Sequence, residues 1–321
     1  DRAVVGTTVN GLPRLALSQV PGHFGQGWPG LVYLPTTSFL PEAERSRMGL
    51  GAKSQEFEHQ LSTAHEIAHQ WWGNQVGWMT YRDQWLSEGF ATYAAALHLG
   101  QGKDGERTFR EIMHSYKSEL LSKTAEGSTV ESGGPIWLGQ RLSNSLNPEG
   151  YANITYKKAC WVVHMLRALM TDPATGSDEA FFRMLRDFLT AYRGRNASTE
   201  DFVRHAEKYM TRTADLEGNR RLDWFFNAWV YGTGIPAYKL NVSVRRVTAK
   251  KFVVEGTIEQ SGVPDDFETL VPLIATYAKG RPVLLGRVAV GGNGGRFKFT
   301  TTSRPARVAI DEEDLLAVVR Q

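Results

Sequence analysis

The chain is short of cysteine, of net charge and of long apolar runs, and each shortage closes off a class of protein. A single cysteine, Cys160, in 321 residues excludes an intrachain disulfide framework and any zinc site built on several thiolates. A formal net charge of +3, from 37 Lys+Arg against 34 Asp+Glu, is too small for a basic field able to hold nucleic acid. No apolar run approaches the roughly 18–20 residues needed to cross a bilayer, so no transmembrane segment is read. No basic-plus-apolar leader opens the chain either. Because it begins at Asp1 rather than methionine, the chain is expected to be a processed or excised piece, and its compartment stays unassigned. What remains is an ordinary globular composition, 41% hydrophobic and 22% charged, long enough for two or so domains that need no covalent staples.

Chemistry-bearing residues are unevenly placed. All 8 histidines, all 9 tryptophans and Cys160 precede residue 238, while 238–321 carries 13 basic and 9 acidic residues. Residues 1–50 read as strands and turns, with Arg14–Val20 and Leu31–Leu34 flanking a glycine-rich stretch. From Ser54 the spacing turns helical and predicts helices over 54–72, 83–99, 104–122, 153–171, 177–193, 199–211 and 219–231. Asp104, Ser177 and Ser198 stand as start signals. The segment 123–152, rich in Gly, Ser, Asn and Pro, is long enough to be expected functional or mobile. After Pro236 the period becomes two, and six or seven short strands separated by Gly or Pro point to a small β-sandwich. The expected fold class is therefore α+β, with a mainly helical unit over 1–237 and a β-sandwich over 238–321.

The informative stretch is His65-Glu66-Ile67-Ala68-His69 inside a predicted helix. Positions i and i+4 share a helical face, so both imidazoles can meet one metal ion, and Glu66 can approach a metal-bound water without ligating. Such a pattern arises by chance in roughly one chain of this composition in eighty, so a third ligand has to decide. Glu88 supplies it, 18 residues beyond His69 in Trp85-Leu86-Ser87-Glu88-Gly89-Phe90-Ala91. The loop Gly73–Arg82 is long enough to bring the two helices antiparallel with Glu88 facing the histidines. Two His, one Glu and an open position match a catalytic zinc, one per chain. Asp83 reads either as a partner of a ligating His or as the N-cap of the second helix. His59, His98, His114, His164 and His205 lack ligand spacing and read as structural. Cys160, beside Trp161 in an apolar helix, reads as a small buried hydrophobe.

These residues carry a resemblance. His65 through Asn74, with Trp85 through Ala91 at the right distance, resembles the zinc aminopeptidases of the alanyl-aminopeptidase and leukotriene-A4-hydrolase type, which are gluzincin metallopeptidases. Ile154-Thr155-Tyr156-Lys157-Lys158-Ala159 is similar to that family's Tyr-x-Lys-Gly-Ala segment, with Ala159 where glycine is usual. Trp229 through Pro236 resembles the segment closing its helical domain. The resemblance implies a thermolysin-like catalytic domain followed by the β-sandwich, with a large N-terminal β domain preceding Asp1. It makes His65, His69 and Glu88 the zinc ligands, Glu66 the general base and Tyr156 the donor to the developing oxyanion.

One departure stands beside these agreements. The family anchors the substrate's free amine with the Glu of a Gly-x-Met-Glu-Asn motif on an edge strand. Here the stretch reads Gly25-Gln26-Gly27-Trp28, so Gln26 falls at that Glu, and no Asp or Glu occurs between Asp1 and Glu42. A neutral amide supplies no charge pairing to an ammonium. Backbone groups around Gly27 remain able to pair with an extended peptide. The expected function is zinc-dependent hydrolysis of a peptide substrate with weakened recognition of the N-terminus. An endopeptidase, a hydrolase of non-peptide substrates on the same zinc and a non-catalytic binding module are the alternatives.

Overall fold

A computed structural model describes residues 14–22, 24–48 and 53–320. The first sheet has the order β1-β3-β2, formed by β1 (Ala16–Val20), β2 (Gln26–Trp28) and β3 (Leu31–Pro35). β3 runs parallel to β1 and antiparallel to β2, which leaves β2 on the sheet's edge. That edge strand lies in the glycine-rich stretch that sequence reading left between two strands. Val32 and Leu34 of β3 are buried, while Leu17, Trp28 and Phe24 are exposed. The sheet therefore offers one face to the helices and the other to solvent.

A short helix α1 (Glu42–Arg47) precedes α2 (Lys53–Ala68), the helix of the His-Glu motif. α2 stops four residues before the predicted end at Trp72. Past Ala68 the chain tightens into three-residue turns, with Gln70 N–H on Ile67 O and Trp71 N–H on Ala68 O. A strand β4 (Val76–Trp78) and a 3-10 turn (Tyr81–Asp83) lead into α3 (Trp85–Leu99), which packs along α2. α4 (Gly105–Leu121) follows, and Asp104 at its start makes no side-chain cap bond.

The predicted helix 153–171 is two structures in series, a π-helical turn over Ala152–Lys158 and α5 over Ala159–Met170. The predicted 219–231 helix divides in the same way. After α6 (Glu179–Ala191), β5 (Arg195–Ala197) and α7 (Thr199–Glu207), a short α8 (Asp223–Phe226) passes into a π-helical turn at Asn227–Tyr231. Periodicity cannot see a π turn, because one extra residue rotates the pattern without interrupting it. Of the three start signals, Ser198 forms a full capping box with Asp201. Ser177 accepts one weak bond from the N–H of Glu179.

From Ala237 the chain is all strand: β6 (Ala237–Thr248), β7 (Lys251–Ser261), β8 (Thr269–Thr276), β9 (Val283–Val290), β10 (Gly295–Thr301), β11 (Arg307–Ile310) and β12 (Val318–Arg320). They form a four-stranded sheet, β10-β7-β6-β12, and a three-stranded sheet, β11-β8-β9. β12, absent from the sequence reading, pairs parallel with the start of β6. The mixture of helices and sheets makes the chain α+β. Buried side chains from both parts form one continuous cluster, with Trp229 edge-on to Phe267 at 5.1 Å across the junction.

The 123–152 segment is pinned rather than loose. Glu131, 1% exposed, pairs with the fully buried Lys158 at 2.7 Å and accepts the backbone N–H of Gly234. Lys158 also donates to Gly232 O, so one buried ion pair ties the segment to the π turn and to the chain leaving the helices.

Candidate metal centre

Two helices build the site. His65 and His69 project from one face at the end of α2, and Glu88 projects toward them from the first turn of α3. The approach is close because α3 in turn packs tightly on α5. A Cβ at Gly89 would sit 2.5 Å from Cβ of Ala159, so the extra methyl at 159 meets a residue that has none. Among the described residues, His65, His69 and Glu88 are the group of such side chains able to hold a metal ion together. The two Nε2 atoms are 3.0 Å apart, and each lies 3.3 Å from Oε2 of Glu88.

The far side of each imidazole decides what those Nε2 atoms are. Nδ1 of His69 faces Trp72 O at 2.9 Å, an acceptor only, so Nδ1 carries the proton. Nδ1 of His65 lies 3.2 Å from the Thr92 hydroxyl, which donates its own proton to Glu88 O at 2.7 Å and so accepts from His65. In the neutral imidazoles both Nε2 atoms are therefore bare lone pairs pointed at each other, and Glu88 Oε2 is buried without a hydrogen-bond partner. Three donors of electron density converging with no proton between them need a cation. Tetrahedral zinc with ligands at about 2.0–2.1 Å places them roughly 3.3 Å apart, so the residues fit the ion.

Glu66 stands beside the three ligands rather than among them. It is 8% exposed, and burial foremost raises its carboxyl above the ordinary range, against a hydrogen bond from the Gly27 N–H. Tyr156 comes from the π turn and stacks on His65, centroids 5.6 Å apart and planes at 21°. Burial first, and then the charge of Glu88, pushes its phenol upward, so the hydroxyl stays protonated and can donate. Tyr151 meets Tyr156 edge-on, its own phenol pushed up to about 12 by burial, and donates to Gln84 at 3.2 Å.

β2 lies directly on α2. A Cβ at Gly25 would be 2.6 Å from Oε1 of Glu66, and one at Gly27 would be 2.5 Å from Glu66 O and 2.7 Å from Cβ of His69. Gln70, fully buried, holds the strand there by donating to Trp28 O and accepting from Gly30 N, both at 2.8 Å. Asn74 donates to Gly27 O at 3.0 Å. The register corrects one expectation. Gly27 pairs with the buried Val32 and faces the helix, whereas Gln26 pairs with Tyr33 and its exposed side chain is on the opposite face. Gln26 does not turn toward Glu66 and His69; Gly27 and its backbone do.

Asp83 is a second correction. Its carboxylate touches neither histidine and does not cap α3, which begins from Gln84. It accepts from Thr80 at 2.8 Å and from Thr199 N and Oγ1 at 2.8 Å each, tying the 3-10 turn to the start of α7. The groups that orient the imidazoles are Thr92, Ser87 and Trp72 O instead. Thr92 was findable, since it lies one turn after Glu88 on the same helical face. Gln70 and Asn74 had no comparable signal, because their partners are about forty residues away.

Residues 30–229 match the Peptidase family M1 domain. The chain belongs to peptidase family M1. The match begins after β2, so the edge strand with the altered motif lies outside it. Among M1 relatives, the chain is 24% identical to mouse (Mus musculus) aminopeptidase N over 60% of its length and 19% of that protein's. Human (Homo sapiens) glutamyl aminopeptidase is 26% identical over 79% of this chain and 24% of its own. The tricorn protease-interacting factor F2 of Thermoplasma volcanium is 22% identical over 85% and 32% respectively. The chain thus spans about a fifth to a third of the length of these relatives. It also shares its fold with Legionella pneumophila aminopeptidase A, solved in complex with aspartic acid, at TM-score 0.63 and 14% identity over 95% of this chain and 31% of that one.

Proposed function

We propose that this chain hydrolyses peptide bonds at a single zinc ion held by His65, His69 and Glu88. The observation that carries the reading is the pair of unprotonated Nε2 atoms facing a buried, unpartnered carboxylate oxygen, with a second buried glutamate alongside. Zinc bound there supplies Lewis acidity, bringing a water's pKa from about 15.7 toward 7 and polarising a carbonyl. The chain's own residues account for the rest. Glu66 takes the attacking water's proton on its carboxylate and passes it to the leaving amine nitrogen. The Tyr156 hydroxyl donates to the carbonyl oxygen as charge gathers there. Backbone groups of β2 around Gly27 align an extended peptide across Glu66 by strand addition.

The reading extends to layout and specificity. Residues 1–237, of which 1–13 lie outside the described residues, form a thermolysin-like catalytic unit that is strand-rich from Ala16 to Pro35 and mainly helical after it, and residues 238–321 form a β-sandwich. β2 brings no carboxylate to the substrate's amine, and Glu131, one candidate substitute in the 123–152 segment, is committed to Lys158. A free N-terminus therefore matters less than an anchored ammonium would require. A charge-assisted contact is worth about 1.5–3 kcal/mol, so acetylating the peptide should lower kcat/KM by less than about tenfold. Paired assays of free and acetylated peptides test this, and abolition of cleavage by acetylation would refute it.

A further inference from the structure

Two guanidinium groups converge on one phenolic oxygen, that of Tyr81. Arg82 donates through Nε to the Tyr81 hydroxyl at 3.2 Å while its guanidinium lies 3.9 Å over the Trp137 ring. Arg141 lies close enough to the same hydroxyl that the two guanidinium groups, Arg141 foremost, draw the phenol's pKa down. Arg167, Arg186, Arg204 and Arg221 each pair with a carboxylate. Among the described residues, Arg82 and Arg141 pair with none. Two like charges held together without an anion repel, and only the surrounding scaffold keeps them converged.

That scaffold is rigid on both sides. The turn bearing Tyr81 and Arg82 is fixed by the buried Asp83 through Thr80 and Thr199. The facing 3-10 segment Ile136–Leu142, which bears Trp137 and Arg141, packs its backbone onto Tyr81. Gly139 permits this: its φ is +54°, and a Cβ there would lie 2.2 Å from Tyr81 O. The cluster also connects to the site. Gln84, two residues after Arg82, accepts the Tyr151 hydroxyl, Tyr151 packs on Tyr156, and Tyr156 stacks on His65.

We propose that Arg82 and Arg141 form a carboxylate-binding subsite, so that the preferred substrates are anionic peptides. The inference rests on the peptidase reading and adds the substrate class to it. With its guanidinium over the indole and Nε spent on Tyr81, Arg82 keeps its two Nη groups without a carboxylate partner, and that pair matches the two oxygens of a carboxylate. The carboxylate comes from an acidic side chain or from the peptide's free C-terminus.

The test uses the zinc-loaded chain and three matched peptides. One is neutral with a C-terminal amide, one is neutral with a free C-terminus, and one is an amide carrying a single Glu. A subsite of this kind favours one of the anionic peptides over the neutral amide by about tenfold or more in kcat/KM, less so at high salt. Whichever anionic peptide gains identifies the source of the carboxylate. Arg141→Gln, at an exposed position, and Arg82→Gln each collapse that ratio toward one. Calorimetric titration of the same peptides provides a readout that does not depend on turnover. Cleavage without charge preference overturns the subsite and leaves the peptidase reading standing. Charge-selective binding lost in the variants, but without cleavage, supports the subsite and sinks the peptidase reading. Neither cleavage nor selective binding overturns both.

Discussion

Adding one methyl group at Gly27 should separate the edge strand from the helix that carries the site. In Gly27→Ala the new Cβ would lie 2.5 Å from Glu66 O, and ordinary contact begins at 3.4 Å, so one side must withdraw by roughly 0.9 Å. Neither neighbour is a flexible side-chain end, since one is backbone and the other is Cβ of His69. Withdrawal stretches the Asn74–Gly27 and Gln70–Trp28 hydrogen bonds, now 3.0 and 2.8 Å. Overpacking of this kind costs about 1–3 kcal/mol, and each weakened hydrogen bond up to about 1 more, for a total near 2–4 kcal/mol. Denaturant melts of the two proteins measure it. If β2 aligns the peptide as proposed, turnover falls as well, because the strand moves away from Glu66. Gln26→Ala, one residue away on the opposite face, changes stability by no more than about 0.5 kcal/mol. Equal melts for Gly27→Ala and Gln26→Ala would refute both the packing argument and the assignment of faces.

Other outcomes follow from single contacts. Glu66→Gln keeps its zinc and loses about two to four decades of turnover, read by metal content alongside kcat. Tyr156→Phe lowers kcat by two to three decades with little change in KM, because its hydrogen bond strengthens only as charge develops; near-normal kcat would return it to a packing role. Thr92→Val leaves His65 Nδ1–H without its acceptor and weakens zinc affinity about 10–100-fold, measured by competition with a chelator. Asp311 is pushed up to about 6, by burial first and then by Asp314, so the folded state is penalised as pH rises through the window from about 4 to 6. Asp311→Asn should therefore stabilise the fold by about 1–2 kcal/mol at pH 7 and by nearly nothing at pH 4, compared by denaturant melts.

The parts of this molecule legible in its sequence are those governed by short spacings. The i,i+4 histidines, the Ser198–Asp201 capping box and strands such as Val283–Val290 all follow from geometry repeated within a few residues. Glu88 was legible because a helix start and an antiparallel loop leave few places for a third ligand. What escaped depends on partners distant in the chain. Asp83 looks like a cap or a histidine partner from its neighbours, yet it is spent on Thr199, 116 residues away. Gln26 occupies the place of an anchoring carboxylate along the chain but sits on the wrong face of its strand, a one-residue matter that only the pairing with β3 decides. The π turns that present Tyr156 and close the helical part leave hydrophobic spacing nearly unchanged, so they read as ordinary helix.

Three converging ligands are what would hold the metal, and the most direct measurement is elemental analysis of the purified chain, prepared without chelator and then given zinc. The expected result is about one zinc per chain in the wild type and in Glu66→Gln, falling to near zero in His69→Ala and Glu88→Ala. No zinc in the wild type after loading, or equal zinc in the wild type and both ligand variants, would contradict the assignment.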